Sequence, residues 1–294
     1  MPAAHQLYGH PYGRYTGRSH GYHRQGAVEA RPMKKTAIIT GGSSGIGLAT
    51  AHLLAADHWQ VFEFSRRGLA EPGVIHIDAD LRDEQSIQAA FDQFALHSDT
   101  LDLLINNAGF GISGPVEYTP LSQAKEQFEV NFFAGVSCMQ KALPYLRQSR
   151  GQIINVSSVA APLSIPFQAF YSASKSAINA LTLALANEVK DSAVRVSAVM
   201  PGDVRTGFTA ARRKIAKGEA VYGSAAGQAV SAMEKDEQNG MSPEYVAKII
   251  YKICQKKHPK PLYVAGGKYK LFYVLGKILP ASLTNRLIRG IYMK

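Results

Sequence analysis

Short apolar runs alternate with helix-like stretches along most of this chain. The runs occupy residues 36–40, 60–64, 74–81, 101–109, 152–156 and 194–202. Between the runs, apolar residues recur at the three- and four-residue spacing of helices, as in 48–58 and 83–97. This alternation, sustained over about 170 residues, predicts an α/β fold with a single Rossmann-type, doubly wound parallel sheet and helices on both faces.

Polar or glycine-rich residues follow each predicted strand. They lie at 40–47, 65–67, 80, 106–109, 157–158 and 201–206. Because the carboxyl ends of parallel strands meet at one edge of a sheet, these clusters predict a ligand site there. The first cluster, TGGSSGIG, joins a strand to a helix and suits a dinucleotide. Its glycines would let the backbone approach the pyrophosphate, which the helix N-terminus attracts.

The end of the second strand bears on the choice of dinucleotide. Ser65, Arg66 and Arg67 stand where such folds meet the adenosine ribose. Arginines suit a 2′-phosphate, whereas an acid would bind the 2′-hydroxyl, and Glu63 lies two residues too early for that role. We therefore expect NADP(H) in preference to NAD(H). The alternative is that both arginines are solvated loop charges.

Tyr171 and Lys175 are a candidate catalytic pair. They are four residues apart, so on a helix they share one face. A neighbouring ammonium favours the phenolate, which would lower a tyrosine pKa that is ordinarily about 10. Ser158, thirteen residues upstream, could hydrogen-bond the reacting oxygen. Most pairs at this spacing are solvated helix faces, so the pair alone does not establish catalysis.

Composition and charge narrow the function classes. The two cysteines, Cys138 and Cys254, have no metal-ligand spacing, so we expect two buried thiols in a reducing, cytoplasmic compartment and no metal. Residues 1–32 carry +3, residues 33–244 carry 18 − 21 = −3, and residues 245–294 carry +11. The basic charge thus belongs to the ends, and the acidic centre argues against a nucleic-acid function. We predict a disordered basic tail over residues 1–32.

Six motifs closely resemble those of the classical short-chain dehydrogenase/reductase family. The resemblance covers about residues 34–206, in the family's order and spacing. The motifs are Thr40-Gly41-x-x-x-Gly45-x-Gly47, Asp80-Leu81, Asn106-Asn107-Ala108-Gly109, Asn131, Ser158 with Tyr171-x-x-x-Lys175, and Pro201-Gly202-x-Val204-x-Thr206.

The resemblance implies hydride transfer at a nicotinamide, with Tyr171 as the general acid/base and Lys175 lowering its pKa. It implies that Ser158, rather than Ser157, positions the substrate oxygen and that Asn131 supports a water in the proton relay. Asp80 would hold the adenine, and Thr206 with the backbone after Pro201 would hold the carboxamide. The implied cofactor-binding set is Thr40, Gly41, Ser43, Ser44, Gly45, Ile46, Gly47, Ser65, Arg66, Arg67, Asp80, Leu81, Asn107, Ala108, Gly109, Tyr171, Lys175, Pro201, Gly202, Val204 and Thr206.

The substrate end is expected within one domain over residues 33–265, under a lid at about residues 207–240. Several apolar residues there and beside the catalytic stretch predict a lipophilic small-molecule substrate. They are Phe110, Ile112, Pro162, Leu163, Ile165, Phe167, Phe208, Val221 and Tyr222.

Residues 266–294 form a basic, amphipathic extension that contains no acid and is interrupted by Pro280. Such a helix could lie peripherally on an anionic membrane, or it could cover the substrate cleft or another subunit of a homo-oligomer. The leading hypothesis is an NADP(H)-dependent oxidoreductase for a lipophilic ketone, secondary alcohol or aldehyde. The alternatives are a non-catalytic NADP(H)-binding sensor or scaffold, and a tail-driven lipid binder at the membrane surface.

Overall fold

The strands of the sheet are short, apolar and almost completely buried. The computed structural model describes residues 34–68 and 71–293, so the predicted basic tail lies outside the described residues. In chain order the strands are β1 (Thr36–Thr40), β2 (Gln60–Ser65), β3 (Val74–Asp78), β4 (Leu103–Asn106), β5 (Ile112–Ser113), β6 (Gln152–Val156), β7 (Arg195–Pro201), β8 (Arg213–Lys214) and β9 (Leu262–Ala265).

Seven of these strands form one parallel sheet in the order β3-β2-β1-β4-β6-β7-β9. The chain moves outward from β1 to β3 and then returns to the other side of β1, so the strand order reverses between β1 and β4. The predicted doubly wound sheet is confirmed. A crevice is expected at such a reversal. The predicted strands 74–81, 101–109 and 194–202 were too long, because their last residues leave the sheet as loops.

The helices connect the strands and supply the lid and the C-terminal extension. They are α1 (Gly45–Ala56), α2 (Glu84–Ala95), α3 (Leu121–Phe128), α4 (Ala134–Ser149), α5 (Ala169–Glu188), α6 (Phe208–Ala211), α7 (Glu219–Tyr222), α8 (Ala225–Gln238), α9 (Pro243–Cys254), α10 (Gly267–Ile278) and α11 (Ala281–Tyr292). Pro280 separates the last two, as expected. Ser242 caps α9 by accepting a hydrogen bond from Tyr245 N at 3.2 Å.

Alternate side chains of each strand enter two apolar layers, one on each face of the sheet. On one face, Ile38 and Leu104 pack with α2, α4 and α5. On the other, Ile39 and Leu103 pack with α1 and α9. This division follows from the two-residue period of a strand, which sends neighbouring side chains to opposite faces. Helices cover both faces, as predicted.

A π-helical turn over Glu129–Phe133 joins α3 to α4 and contains Asn131. The sequence indicated a helical pattern with this asparagine in the middle. The structure differs because Asn131 Oδ1 accepts a hydrogen bond from Phe110 N at 2.9 Å, while its Nδ2 donates to Phe110 O at 3.1 Å. Both bonds draw the side chain toward the loop after β4, and π-helical turns often mark such functional positions.

Within residues 34–68 and 71–293, the structure contains no helix with the length and apolar character needed to cross a membrane.

Phe94 of α2 provides a test of the first apolar layer. Its ring is 0% exposed and meets Phe62 and Tyr145 edge-on, with ring centroids 5.0 and 5.5 Å apart. Phe94→Ala should lower the free energy of unfolding by about 3–5 kcal/mol, because it removes these contacts and leaves a cavity. Urea denaturation measures the change. The matched control is Leu96→Ala at a side chain that is 84% exposed, and an equal loss there would contradict the assignment.

Candidate active site

The glycine turn after β1 is held against the loop after β4 by a set of hydrogen bonds. Thr40 Oγ1 accepts from Asn107 N at 3.0 Å and from Ala108 N at 3.1 Å. Asn107 Nδ2 lies 3.1 Å from both Thr40 O and Gly41 O and donates to them. The two loops at the strand-order reversal therefore form one unit.

Close packing inside this turn requires glycine at particular positions. Gly41 and Gly45 have φ values of +65° and +53°, in the left-handed region that other residues rarely adopt. A Cβ on Gly47 would stand 2.4 Å from Gly41 O and 2.6 Å from Asn107 Nδ2. Side chains are thereby excluded where a phosphate group would approach the backbone.

The start of α1 fits a pyrophosphate. Ser43, Ser44, Gly45 and Ile46 all line the main cleft at this end. Among the residues that the structure describes, the Ser44 side chain makes no capping bond to the helix. The first N–H groups of α1 are therefore available for an anion, which the positive end of the helix dipole attracts.

At the end of β2, Ser65, Arg66 and Arg67 line the same cleft, and both arginines are exposed. Glu63 is buried and forms a 2.5 Å hydrogen bond with His76 Nδ1, and Ser65 Oγ donates to it at 3.0 Å. Burial raises the pKa of Glu63, and the bonds to His76 and Ser65 oppose that rise. The carboxylate thus has partners inside the fold, while the two arginines face the cleft.

Asp80 belongs to an ion-pair chain that the sequence analysis missed. Arg82 Nε donates to both carboxylate oxygens of Asp80, at 2.9 and 3.2 Å, and these bonds lower the pKa of Asp80 to about 2. Glu126 lies 3.6 Å from Arg82 and accepts from Arg213 at 2.5 and 2.9 Å. Arg213 in turn lies 4.8 Å from the centre of the Phe110 ring. The chain joins the adenine end expected at Asp80 to the lid.

The two serines after β6 have different surroundings. Ser157 is buried, and its hydroxyl donates to Lys175 O at 3.1 Å. Ser158 is half-buried, accepts from Ala160 N at 3.1 Å and is a hydrogen-bonding partner of Tyr171. This difference agrees with the choice of Ser158 as the serine that would meet a substrate oxygen.

Tyr171 and Lys175 lie on one face of α5 and line the cleft, but their electrostatics differ from the prediction. Lys175 Nζ donates to Val156 O at 2.9 Å and lies 5.9 Å from the centre of the Tyr171 ring. Burial raises the pKa of Tyr171 to about 12, although the bond to Ser158 lowers it in part. Burial also lowers the pKa of Lys175 to about 8. The predicted lowering of the tyrosine pKa by Lys175 is wrong for this arrangement, because desolvation outweighs the ammonium, which is bonded to Val156 O.

Asn131 lies behind the cleft. Together with Thr40 and Lys175 it lines a separate cavity of about 10 Å³, close to the volume that admits one water molecule. Its Nδ2 also lies 3.2 Å from Ser174 Oγ, so the amide is fixed from two sides.

The loop after β7 closes the other wall. Pro201, Gly202, Val204 and Thr206 line the cleft, and a Cβ on Gly45 would stand 3.3 Å from Thr206 Cγ2. The cleft has a volume of about 630 Å³. Besides the residues described above, it is lined by Gly41, Leu81, Asn107, Ala108 and Gly109 from the predicted set.

The substrate end differs from the sequence-based expectation in several places. Phe110, Ile165 and Phe208 line the cleft, and the Tyr171 and Phe208 rings lie 5.7 Å apart. Val221 instead is 63% exposed, and Tyr222 packs edge-on against Phe167 under the lid. Ile112 and Phe167 are buried, Pro162 is exposed, and Leu163 packs near Gly276 of α10.

Other lining residues were missed because they come from late in the chain. Met233 and Glu237 project from α8, and Tyr269 and Tyr292 from the C-terminal helices. Glu237 is held by the buried Arg212 and by Thr209. Sequence spacing gave no signal for these contacts. The aromatic residues within the basic extension were the one available hint.

Comparison with known proteins identifies the family. The family model for the short chain dehydrogenases matches residues 35–217. The chain belongs to this family. A 3-ketodihydrosphingosine reductase of Bacteroides thetaiotaomicron is 34% identical over 260 residues, which cover 87% of this chain and 97% of that relative. An NADPH-dependent 3-dehydrocapnine reductase of Ornithobacterium rhinotracheale is 28% identical over 268 residues, covering 85% and 95%.

A solved short-chain dehydrogenase from Streptomyces avermitilis has the same fold, with a TM-score of 0.75 at 25% identity, covering 89% of this chain and 96% of that one. This short-chain dehydrogenase is therefore an oxidoreductase that uses a nicotinamide cofactor. The glycine turn, the uncapped helix start and the cleft described above fit such a cofactor.

Gly47→Ala should weaken binding of NADPH at least about tenfold, or ~1.4 kcal/mol, because the new methyl group would displace Gly41 or Asn107. Isothermal titration calorimetry measures the dissociation constant. Gly227→Ala in α8 is the matched control, since a Cβ there meets nothing within 4 Å. Unchanged NADPH affinity in Gly47→Ala would show that the tight turn does not shape the cofactor site.

Proposed function

We propose that this protein is an NADP(H)-dependent oxidoreductase that reduces a lipophilic ketone or aldehyde, or oxidises the corresponding alcohol. One observation carries the proposal: Ser158, Tyr171 and Lys175 line the same cleft as the glycine turn. A cofactor bound in that cleft supplies the hydride. The protein's own residues would then handle the proton and orient the substrate.

Tyr171 would act as the general acid in the direction of reduction. With its pKa raised to about 12, the phenol holds its proton at neutral pH and can donate it to a carbonyl oxygen. Ser158, already a hydrogen-bonding partner of Tyr171, would donate to the same oxygen and hold it in place. Lys175, whose pKa is lowered to about 8, remains mostly charged at pH 7. Its ammonium would stabilise the phenolate left after donation.

Asn131 and Lys175 support a route by which Tyr171 is reprotonated. The cavity of about 10 Å³ beside them has room for about one water molecule. Asn131 cannot easily rotate, because its amide bonds Phe110 on one side and Ser174 on the other. A fixed amide would keep such a water between Lys175 and the interior end of α5.

The arginines at the end of β2 support NADP(H) over NAD(H). Arg66 and Arg67 are exposed and line the cleft, so a 2′-phosphate could bind them without removing a charge from an internal partner. Glu63, the nearest acid of β2, is bonded to His76 and Ser65 and is not presented to a ribose. The relative from Ornithobacterium rhinotracheale is named as NADPH-dependent.

The wall near Tyr171 supports a substrate with an apolar chain. Phe110, Ile165, Phe208 and Met233 contribute apolar surface to the cleft. Glu237 adds a fixed carboxylate, which suits a polar group close to the carbonyl. The name of the relative from Bacteroides thetaiotaomicron specifies a long-chain keto substrate of this general kind.

Tyr171→Phe tests the proposed acid. It should lower kcat for NADPH oxidation by about 10²–10⁴-fold, because the ring remains and the donated proton is lost. The assay uses the best substrate from a panel of steroid ketones, retinal, aliphatic aldehydes and acyl ketones. NADPH affinity should change little. Tyr118→Phe is the control, and an undiminished rate in Tyr171→Phe would refute the mechanism.

Arg66→Asp tests the cofactor preference. The KM for NADPH should rise at least about tenfold while the KM for NADH changes little, because the new carboxylate repels a 2′-phosphate and can accept from a 2′-hydroxyl. Steady-state kinetics with both cofactors measures the ratio. Arg147→Asp, at an exposed site near the end of α4, is the charge-matched control. Equal effects on both cofactors would place the 2′-phosphate elsewhere.

A further inference from the structure

The two C-terminal helices have a buried face and an exposed apolar face. Their inner side chains include Tyr269, which donates to Asp203, the buried Ile288, and Tyr292, which lines the cleft. Their outward side chains form what we call the tail patch. Its members are Leu271, Phe272, Val274, Leu275, Ile278, Leu283, Leu287 and Ile291.

The tail patch concentrates exposed apolar surface in one place. In the described part of the chain, eight of the fifteen large hydrophobic side chains that are exposed belong to it. Leu271 and Ile278, one heptad apart on α10, are 59% and 74% exposed. Leu283, Leu287 and Ile291 repeat every four residues along α11. Contiguous apolar surface of this kind marks an interaction site rather than a solvated face.

The charge around the tail patch indicates what covers it. Residues 245–294 contain eleven lysines and arginines and no acid. Lys270, Lys277, Arg286 and Arg289 are exposed on the same two helices. A second copy of the patch would bring these like charges together, whereas an anionic lipid surface supplies hydrocarbon and negative charge at once.

The geometry also fixes how such a surface would be contacted. α10 and α11 have twelve residues each, or about 18 Å at the rise of a helix, which is too short to span a bilayer. They can lie in the plane of the interface with their apolar side chains inserted and their basic side chains at the headgroups. Tyr269 and Tyr292 on their inner face line the cleft, so the patch lies beside the active site.

We propose that the tail patch docks this protein onto an anionic membrane surface, so that a lipophilic substrate reaches the cleft from the bilayer. The second half of this statement rests on the proposed function, and the docking itself does not.

The test is co-sedimentation of the full chain with vesicles of phosphatidylcholine alone or mixed with phosphatidylglycerol. We expect binding to the anionic vesicles, weakened by high salt, and little binding to the neutral ones. The double variant Leu271→Glu/Ile278→Glu should bind anionic vesicles at least tenfold more weakly. The matched control Leu96→Glu, exposed elsewhere, should bind as the unaltered protein does. Circular dichroism checks that the variants fold.

Two outcomes would overturn the docking. One is anionic-vesicle binding that is absent or is unaffected by the double variant. The other is a dimer in analytical ultracentrifugation that the double variant abolishes, which would assign the patch to a second copy. NADPH oxidation with a short, water-soluble ketone is measured in parallel. Vesicle binding without activity would sink the proposed function alone, and activity without vesicle binding would sink the docking alone.

Discussion

The hydrogen bonds between Thr40 and Asn107 join the two loops at the point where the strand order reverses. They fix the glycine turn after β1 against the loop after β4, and the rest of the cleft is built outward from that junction. Gly47 must be small because Gly41 O and Asn107 Nδ2 already occupy the space beside it. Asn131 holds the same β4 loop from the far side through Phe110. The cofactor end is thus a rigid cradle made of backbone.

Burial governs the chemistry at the other end of the cleft. Tyr171 and Lys175 are both shielded from water, and desolvation moves the pKa of each toward its neutral form. The tyrosine is therefore a stored proton at neutral pH rather than a ready phenolate, which favours its role as an acid. Lys175 is turned toward Val156 O, so the phenol and the ammonium are separate resources that a reaction would bring into play in sequence.

The ion-pair chain and the C-terminal helices add features that the core fold does not require. Asp80, Arg82, Glu126 and Arg213 connect the adenine end to the lid across the cleft. The helices after β9 contribute Tyr269 and Tyr292 to the wall and turn an apolar face outward. In this arrangement substrate selection, lid position and access to a lipid surface all involve residues outside the matched family region at 35–217, except for Arg213 and its partners.

The sequence alone determined the parallel sheet, the glycine turn and the Ser158, Tyr171 and Lys175 spacing, because local periodicity and short motifs are written in contiguous residues. Strand ends were placed too far, since leaving the sheet costs no change in residue pattern. Only the tertiary structure decided the pKa of Tyr171, the partner of Asp80 and the lining from Glu237 and Tyr292. Desolvation and contacts between residues distant in the chain depend on packing, which no local pattern records.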